Sequence, residues 1–152
     1  MSATIDKLGQ DHQHVLAQLS AVEHRLAETA DAPAEFAAYL DREVLEHFAV
    51  EEEALFPILA RHLPPAGGPL AVMNAEHEEF RSLLAALHAA VRAGDAEQGR
   101  GCARELIELL RGHIAKEDRI LFPMAMQMLS GDEQREVDAR AAQQGGGAGR
   151  RA

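Results

Sequence analysis

The sequence has one cysteine, no tryptophan, one tyrosine and five phenylalanines among 152 residues. A lone thiol, Cys102, closes no internal disulfide and cannot build a thiolate metal site by itself, so any metal chemistry must use other donors. No stretch approaches the roughly 18–20 consecutive apolar residues of a membrane span. Met1–Gln10 lacks the basic start and apolar run of a secretory leader, which leaves the cytoplasm as the default address. Basic residues are outnumbered, 15 Lys and Arg against 25 Asp and Glu, for a formal charge of −10. Such a surface repels phosphate backbones and anionic lipid, so neither nucleic acid nor a membrane is an expected partner. Alternating runs of β-branched and aromatic residues are missing as well, which removes strands.

Apolar residues make up 47% of the chain, enough for one globular domain of this length. They recur at helical spacing almost throughout. Punctuation divides the chain into four long helices: from about Ser2 or Thr4 to Thr29, from Pro33 to about His62, from Pro69 to about Arg92, and from Asp95 to about Leu129. Ser130 and Glu133 form a capping-box pattern for a short fifth helix ending near Ala142. Residues 143–152 read as a Gly/Arg tail with no means of packing. Short connections make sequential helices antiparallel. The expected fold is all-α, an up-down-up-down antiparallel four-helix bundle over residues 1–142, with a disordered tail at 143–152. Gly99 and Gly101 weaken the start of the fourth helix, where Cys102 is expected to be loosely ordered.

Histidine is the unusual component, with eight residues. Their placement follows an internal repeat. His47-Phe48-Ala49-Val50-Glu51 followed by Leu55-Phe56-Pro57 matches His113-Ile114-Ala115-Lys116-Glu117 followed by Leu121-Phe122-Pro123, 66 positions later. His12, Val15, Leu19, Val22 and Leu26 match His77, Phe80, Leu84, Leu87 and Val91, 65 positions later. The chain is therefore two copies of a helical hairpin, each with His on its first helix and His-x-x-x-Glu on its second.

A lone His-x-x-x-Glu carries little weight, and His24 with Glu28 is a chance instance. Helical phase separates the cases. At about 100° per residue, Phe36, Leu40, Val44 and Ile58 share a stripe with His47, and Glu51 lies in its middle at about 40°. Leu106, Leu110, Ile120 and Met124 share one with His113, with Glu117 again at about 40°. Glu52 and Glu53 fall outside the stripe, Asp118 rotates away, and His14 and His24 face solvent. Two carboxylates thus point into a core that helix packing would otherwise keep dry, and each must be protonated, ion-paired or metal-bound. No Lys or Arg shares the stripe with both. His12 stands level with His47, and His77 with His113, so six donors occupy one slab. Asp118 remains an alternative to Glu117, and His14 to His12.

Four imidazoles and two carboxylates are too many for a tetrahedral structural zinc. They suit two adjacent transition-metal ions, each with two histidines and both glutamates shared as bridges, and favour iron over manganese or zinc. On His12, His47-x-x-x-Glu51 with Leu55-Phe56-Pro57, His77, and His113-x-x-x-Glu117 with Leu121-Phe122-Pro123, the sequence resembles a hemerythrin-like (HHE cation-binding) domain over about residues 4–129. The resemblance implies a non-haem centre of two iron ions, oxo- or hydroxo-bridged. It also implies a small ligand (oxygen, nitric oxide or peroxide) that is bound or sensed, with detoxification of peroxide or nitric oxide, iron handling or iron–sulfur repair as alternatives. Oxygen-carrying members have a further histidine where this chain has Arg81, and an aspartate as last ligand. The site here is similar instead to the symmetric four-His, two-Glu variety of bacterial proteins linked to nitric-oxide stress. A monomer or dimer is expected, and its redox partner is not written in the chain.

Pro57 and Pro123 each remove a helical hydrogen bond just beyond the ligands, and should bend their helices. Arg81 either pairs with a glutamate or steers an anionic ligand, and pairing is the commoner role. His88 reads as a core-edge histidine, and His62 as a cation complementing a helix C-terminus.

Overall fold

The computed structural model describes residues 2–64 and 66–151, and of 145–151 the backbone only. Among the described residues the chain is helical with no strand. Helix α1 is Ala3–Leu26, capped by the Ser2 side chain, which accepts from the Ile5 N–H. Helix α2 runs continuously from Ala32 to Leu59, α3 is Pro69–Ala93, α4 runs from Ala96 to Met128, and α5 is Gly131–Arg151. The Asp95 side chain caps α4 by accepting from the Gln98 N–H. Ser130 Oγ accepts from the Glu133 N–H while the Ser130 N–H donates to Glu133 Oε1, each at 3.1 Å, so the capping box is formed in both directions. Helix α1 stops three residues before Thr29, whose hydroxyl accepts from the Asp31 N–H and so competes with continuation of the helix. The tail expected at 143–152 lies, from residue 145 on, outside the described side chains.

Three widened π turns interrupt the long rods: Leu40–Val44 and Glu51–Leu55 in α2, and Glu117–Leu121 in α4. Two of them begin on the repeated glutamates and end one residue before Phe-Pro. A proline cannot donate to the carbonyl four residues back, and its ring crowds that carbonyl; widening the preceding turn relieves the clash. Phe56 and Phe122 accordingly donate five residues back, to the Glu51 and Glu117 carbonyls. The Glu53 carbonyl, which Pro57 cannot reach, accepts from Arg140 of α5 at 3.5 Å. The widened turn corrects one expectation. Ile120 was placed in the apolar stripe of α4 but is 51% exposed, because a π turn advances fewer degrees per residue and leaves it behind. Leu121 and Phe122 take the inward positions instead.

The apolar core is split. One cluster gathers Val15, Leu19, Phe36, Leu40, Phe48, Phe80, Leu84 and Leu106. The other gathers Ile5, Leu8, Leu55, Phe56, Met73, Leu121, Phe122 and Val137, the last from α5. On α1 and α3 the inward histidine separates the residues of one cluster from those of the other, and on α2 and α4 the change falls within the segment around His47 and Glu51 and around His113 and Glu117. A polar slab crosses the middle. Cys102, expected to be loosely ordered, is 5% exposed and packs in the first cluster. Its neighbourhood is tight because α4 begins against α2: a Cβ on Gly99 would sit 3.2 Å from Pro33 Cβ.

Two glycines give opposite expectations for one substitution. Gly94 closes α3 at φ +69°, a left-handed conformation that an L side chain resists, so Gly94→Ala should cost about 1–2 kcal/mol. Gly101 lies exposed inside α4 with nothing within 4 Å of a built Cβ, so Gly101→Ala should stabilise by about 1 kcal/mol. Urea unfolding of the two variants beside the parent checks the pair.

Candidate metal centre

Helices α1 and α3 each deliver one imidazole into the slab, and α2 and α4 each deliver an imidazole and, one turn later, a carboxylate. His12, His77, His113, Glu51 and Glu117 are at most 2% exposed, and His47 is 8% exposed. The four Nε2 atoms face the two carboxylates. His12 Nε2 lies 3.0 Å from Glu117 Oε1, His113 Nε2 3.5 Å from the same oxygen, His77 Nε2 3.1 Å from Glu51 Oε1, and His47 Nε2 3.2 Å from Glu51 Oε2. The donors fall into two quartets, His12, His47, Glu51, Glu117 and Glu51, His77, His113, Glu117, each with its ligand atoms within 4.8 Å of one another. Both glutamates belong to both quartets.

The opposite edge of every imidazole is clamped by an acid. His12 Nδ1 meets Asp118 at 2.7 Å, His47 Nδ1 meets Asp11 at 3.3 Å, His77 Nδ1 meets Glu52 at 2.6 Å, and His113 Nδ1 meets Glu76 at 2.9 Å. A carboxylate at Nδ1 holds the ring proton there and turns the Nε2 lone pair inward. Lone pairs of nitrogen then face lone pairs of oxygen across about 3 Å, a repulsive contact unless something positive lies between them. All four Nε2 atoms and all four oxygens of Glu51 and Glu117 are buried without a hydrogen-bond partner. Two donors about 2.1 Å from one ion at right angles are about 3 Å apart, so these separations suit the edges of coordination polyhedra. The donor set therefore fits a pair of metal ions.

Charge points the same way. Lys7 holds Asp11 at 3.1 Å, Arg81 holds Glu52 at 2.7 Å, and Lys116 pairs with Glu76. Six carboxylates, two inner and four outer, thus face three cationic side chains, an excess of negative charge that bound cations would offset. Among the described residues no Lys or Arg reaches Glu51 or Glu117. Burial, followed by the neighbouring Glu117 carboxylate, pushes Glu51 well above the usual carboxylate range. Burial also pulls His77 down, to about 4, so this imidazole is neutral near pH 7. For His47, burial is outweighed by Glu51 and Asp11, and the ring is pushed well above its ordinary value.

The hemerythrin HHE cation-binding domain model matches residues 3–125. The chain belongs to this family. Similar curated proteins are iron-sulfur cluster repair proteins YtfE. That of Enterobacter sp. (strain 638) is 29% identical over 80% of this chain and 60% of its own length. That of Cronobacter sakazakii is 29% identical with the same coverage, and that of Escherichia coli (strain K12 / DH10B) 28%. The chain thus spans about 60% of the length of these relatives. No solved structure matches it at a significant level.

All six residues singled out in the sequence meet in this hemerythrin-like bundle. Of the alternatives, Asp118 stands behind His12 rather than among the inner donors, and His14 is exposed. Arg81 takes the pairing role, through Glu52, and so steadies His77 indirectly. His88 bonds to Asp41 at 3.0 Å and His62 to Glu133 at 2.9 Å, both away from the centre. Phe56 and Phe122, which follow the widened turns, stack on His77 and His12 with centroids 5.5 and 5.4 Å apart, and Phe48 stacks on His77 at 3.8 Å. Sequence reasoning missed the four outer acids. The repeat held the signal: an acid precedes each first-helix histidine (Asp11, Glu76) and follows each inward glutamate (Glu52, Asp118).

Removing an outer clamp should weaken metal binding without emptying the bundle of its core. Glu52→Gln and Asp118→Asn are each expected to lower affinity about 10–100-fold, measured by competition with a chromophoric chelator. Protons and metal ions compete for the same gap, since His47 and Glu51 are both shifted toward their protonated forms. Metal uptake at pH 7 should therefore release protons, and affinity should fall as pH is lowered. Calorimetry in buffers of different ionisation enthalpy reads the proton count.

Proposed function

We propose that the protein is a non-haem di-iron protein. In this reading His12 and His47 hold one ion, His77 and His113 hold the other, and Glu51 and Glu117 bridge them. The observation that carries it is the convergence of eight unpartnered buried donor atoms, with both carboxylates shared by two quartets. Imidazole with carboxylate, and no thiolate, is a donor set suited to iron. When bound, two such ions supply Lewis-acidic, redox-active positions for a small ligand: oxygen, nitric oxide or peroxide. The chain's own residues set the conditions. The stacked Phe48, Phe56 and Phe122 rings exclude water, the outer acids fix ring orientation, and Arg81, bound to Glu52, stands where oxygen carriers of the family have a further histidine.

Iron handling or iron–sulfur repair is the second reading, favoured by the printed function of the relatives. It needs a labile pair of ions rather than a reversible ligand site. Metal analysis of anaerobically loaded protein, with optical spectra before and after oxygen, peroxide and nitric oxide, tests the first; iron transfer to a metal-free ferredoxin tests the second. Glu51→Ala or Glu117→Ala should bring the iron content from two per chain to one or none. Retention of two ions by either variant removes the bridging assignment. The metal-free chain should respond with the opposite sign: Glu51→Gln removes a carboxyl that burial makes costly to ionise, so that it enters the slab near pH 7 only by taking up a proton, and should raise its melting temperature.

A further inference from the structure

The inner donors are sealed on nearly every side, and His47 is the most exposed of them. His47 and its clamp Asp11 line a groove of about 810 Å³ between α1 and α2, bordered by Ala141 and Gln144 of α5. None of the other five inner donors lines it. The Asp11 clamp is also the longest of the four, 3.3 Å against 2.6 to 2.9 Å, so His47 is the imidazole held least tightly.

The groove's chemistry suits a hydrated divalent cation. The water shell of such an ion turns only O–H donors outward, so a path for it must offer acceptors. Glu43, Glu46 and Glu53 supply carboxylates along this groove, and His14 an imidazole. Tyr39 lines it too, 9% exposed, with a buried hydroxyl that has no hydrogen-bond partner. Burial, then the Glu43 carboxylate, pushes this phenol up to about 12, so it stays uncharged and can accept from water. A buried hydroxyl without a partner is costly unless water or a ligand meets it. The two cationic residues of the groove are each paired with one of its acids, Lys7 with Asp11 at 3.1 Å and Arg42 with Glu43 at 3.6 Å, and their side chains are 74% and 66% exposed.

We propose that the groove between α1 and α2 is the route by which hydrated divalent metal ions reach the centre, with Asp11 the last acceptor before His47. The inference rests on the di-metal reading above. Its test is the rate of uptake, separate from how much is bound. The metal-free chain is mixed with Co²⁺ in a stopped-flow instrument and the visible absorption of the bound ion is followed. Glu43→Gln/Glu46→Gln should slow uptake about fivefold or more and flatten its dependence on salt, because charges steer association. Lys7→Gln should speed it. The Glu43/Glu46 variant should end with as much cobalt as the parent. Glu78→Gln/Glu79→Gln, on the exposed face of α3, should load at the parent's rate. Uptake unchanged in the Glu43/Glu46 variant, or slowed equally in the Glu78/Glu79 variant, overturns the route while leaving the di-metal centre intact. A parent chain that binds no cobalt and no iron overturns the centre itself.

Discussion

Two carboxylates in a dry slab govern this molecule. A charged carboxylate taken out of water costs several kcal/mol unless a counter-charge comes with it. Among the described residues Glu51 and Glu117 bring no Lys or Arg along, and His77, neutral and turned by Glu52, offers a lone pair rather than a proton. The rest of the bundle is arranged around that conflict. The apolar core divides into two clusters so that the slab can cross it, and aromatic rings close over the imidazoles from both sides. Acids behind the rings fix their tautomer, and cations behind three of those acids hold them in place. The order is a layered one, from metal-seeking donors through orienting acids to solvent-facing Lys and Arg.

Most of this was legible in the chain because its information is periodic. Helix phase placed Glu51 and Glu117 inward and left His14, His24 and Asp118 off the stripe, and the repeat at 65 and 66 positions paired the helices. The six donors follow from those two facts. Phase arithmetic failed where the period itself changes. Ile120 sits inside a π turn, and an assumption of about 100° per residue carries it to the wrong side. The proline that causes the turn was visible, but its consequence was expected as a bend rather than a widening. Cys102 was misjudged for a related reason: Gly99 lowers helix propensity, yet its missing side chain lets Pro33 approach and seals the region.

The outer acids escaped notice because they lie outside the apolar stripe, where a glutamate or aspartate ordinarily needs no explanation. Only the fold shows that Glu52 of one hairpin bonds His77 of the other, and that Asp118 returns the favour to His12. Asp11 and Glu76, by contrast, clamp the second histidine of their own hairpin.

This alternation of internal and crossed bonds has a genealogical sense. Neither half of the chain is chemically complete: each supplies two imidazoles, one shared carboxylate and two orienting acids, and each borrows an orienting acid from its sibling. Two identical hairpins meeting about a dyad would generate the whole arrangement, inner and outer, with no further residue. Among the described residues the linker between the hairpins contributes none of the eight imidazole–carboxylate contacts that define the centre. Fusion of the halves therefore adds local concentration, and freedom for the two sides to diverge, to a device that symmetry alone suffices to assemble.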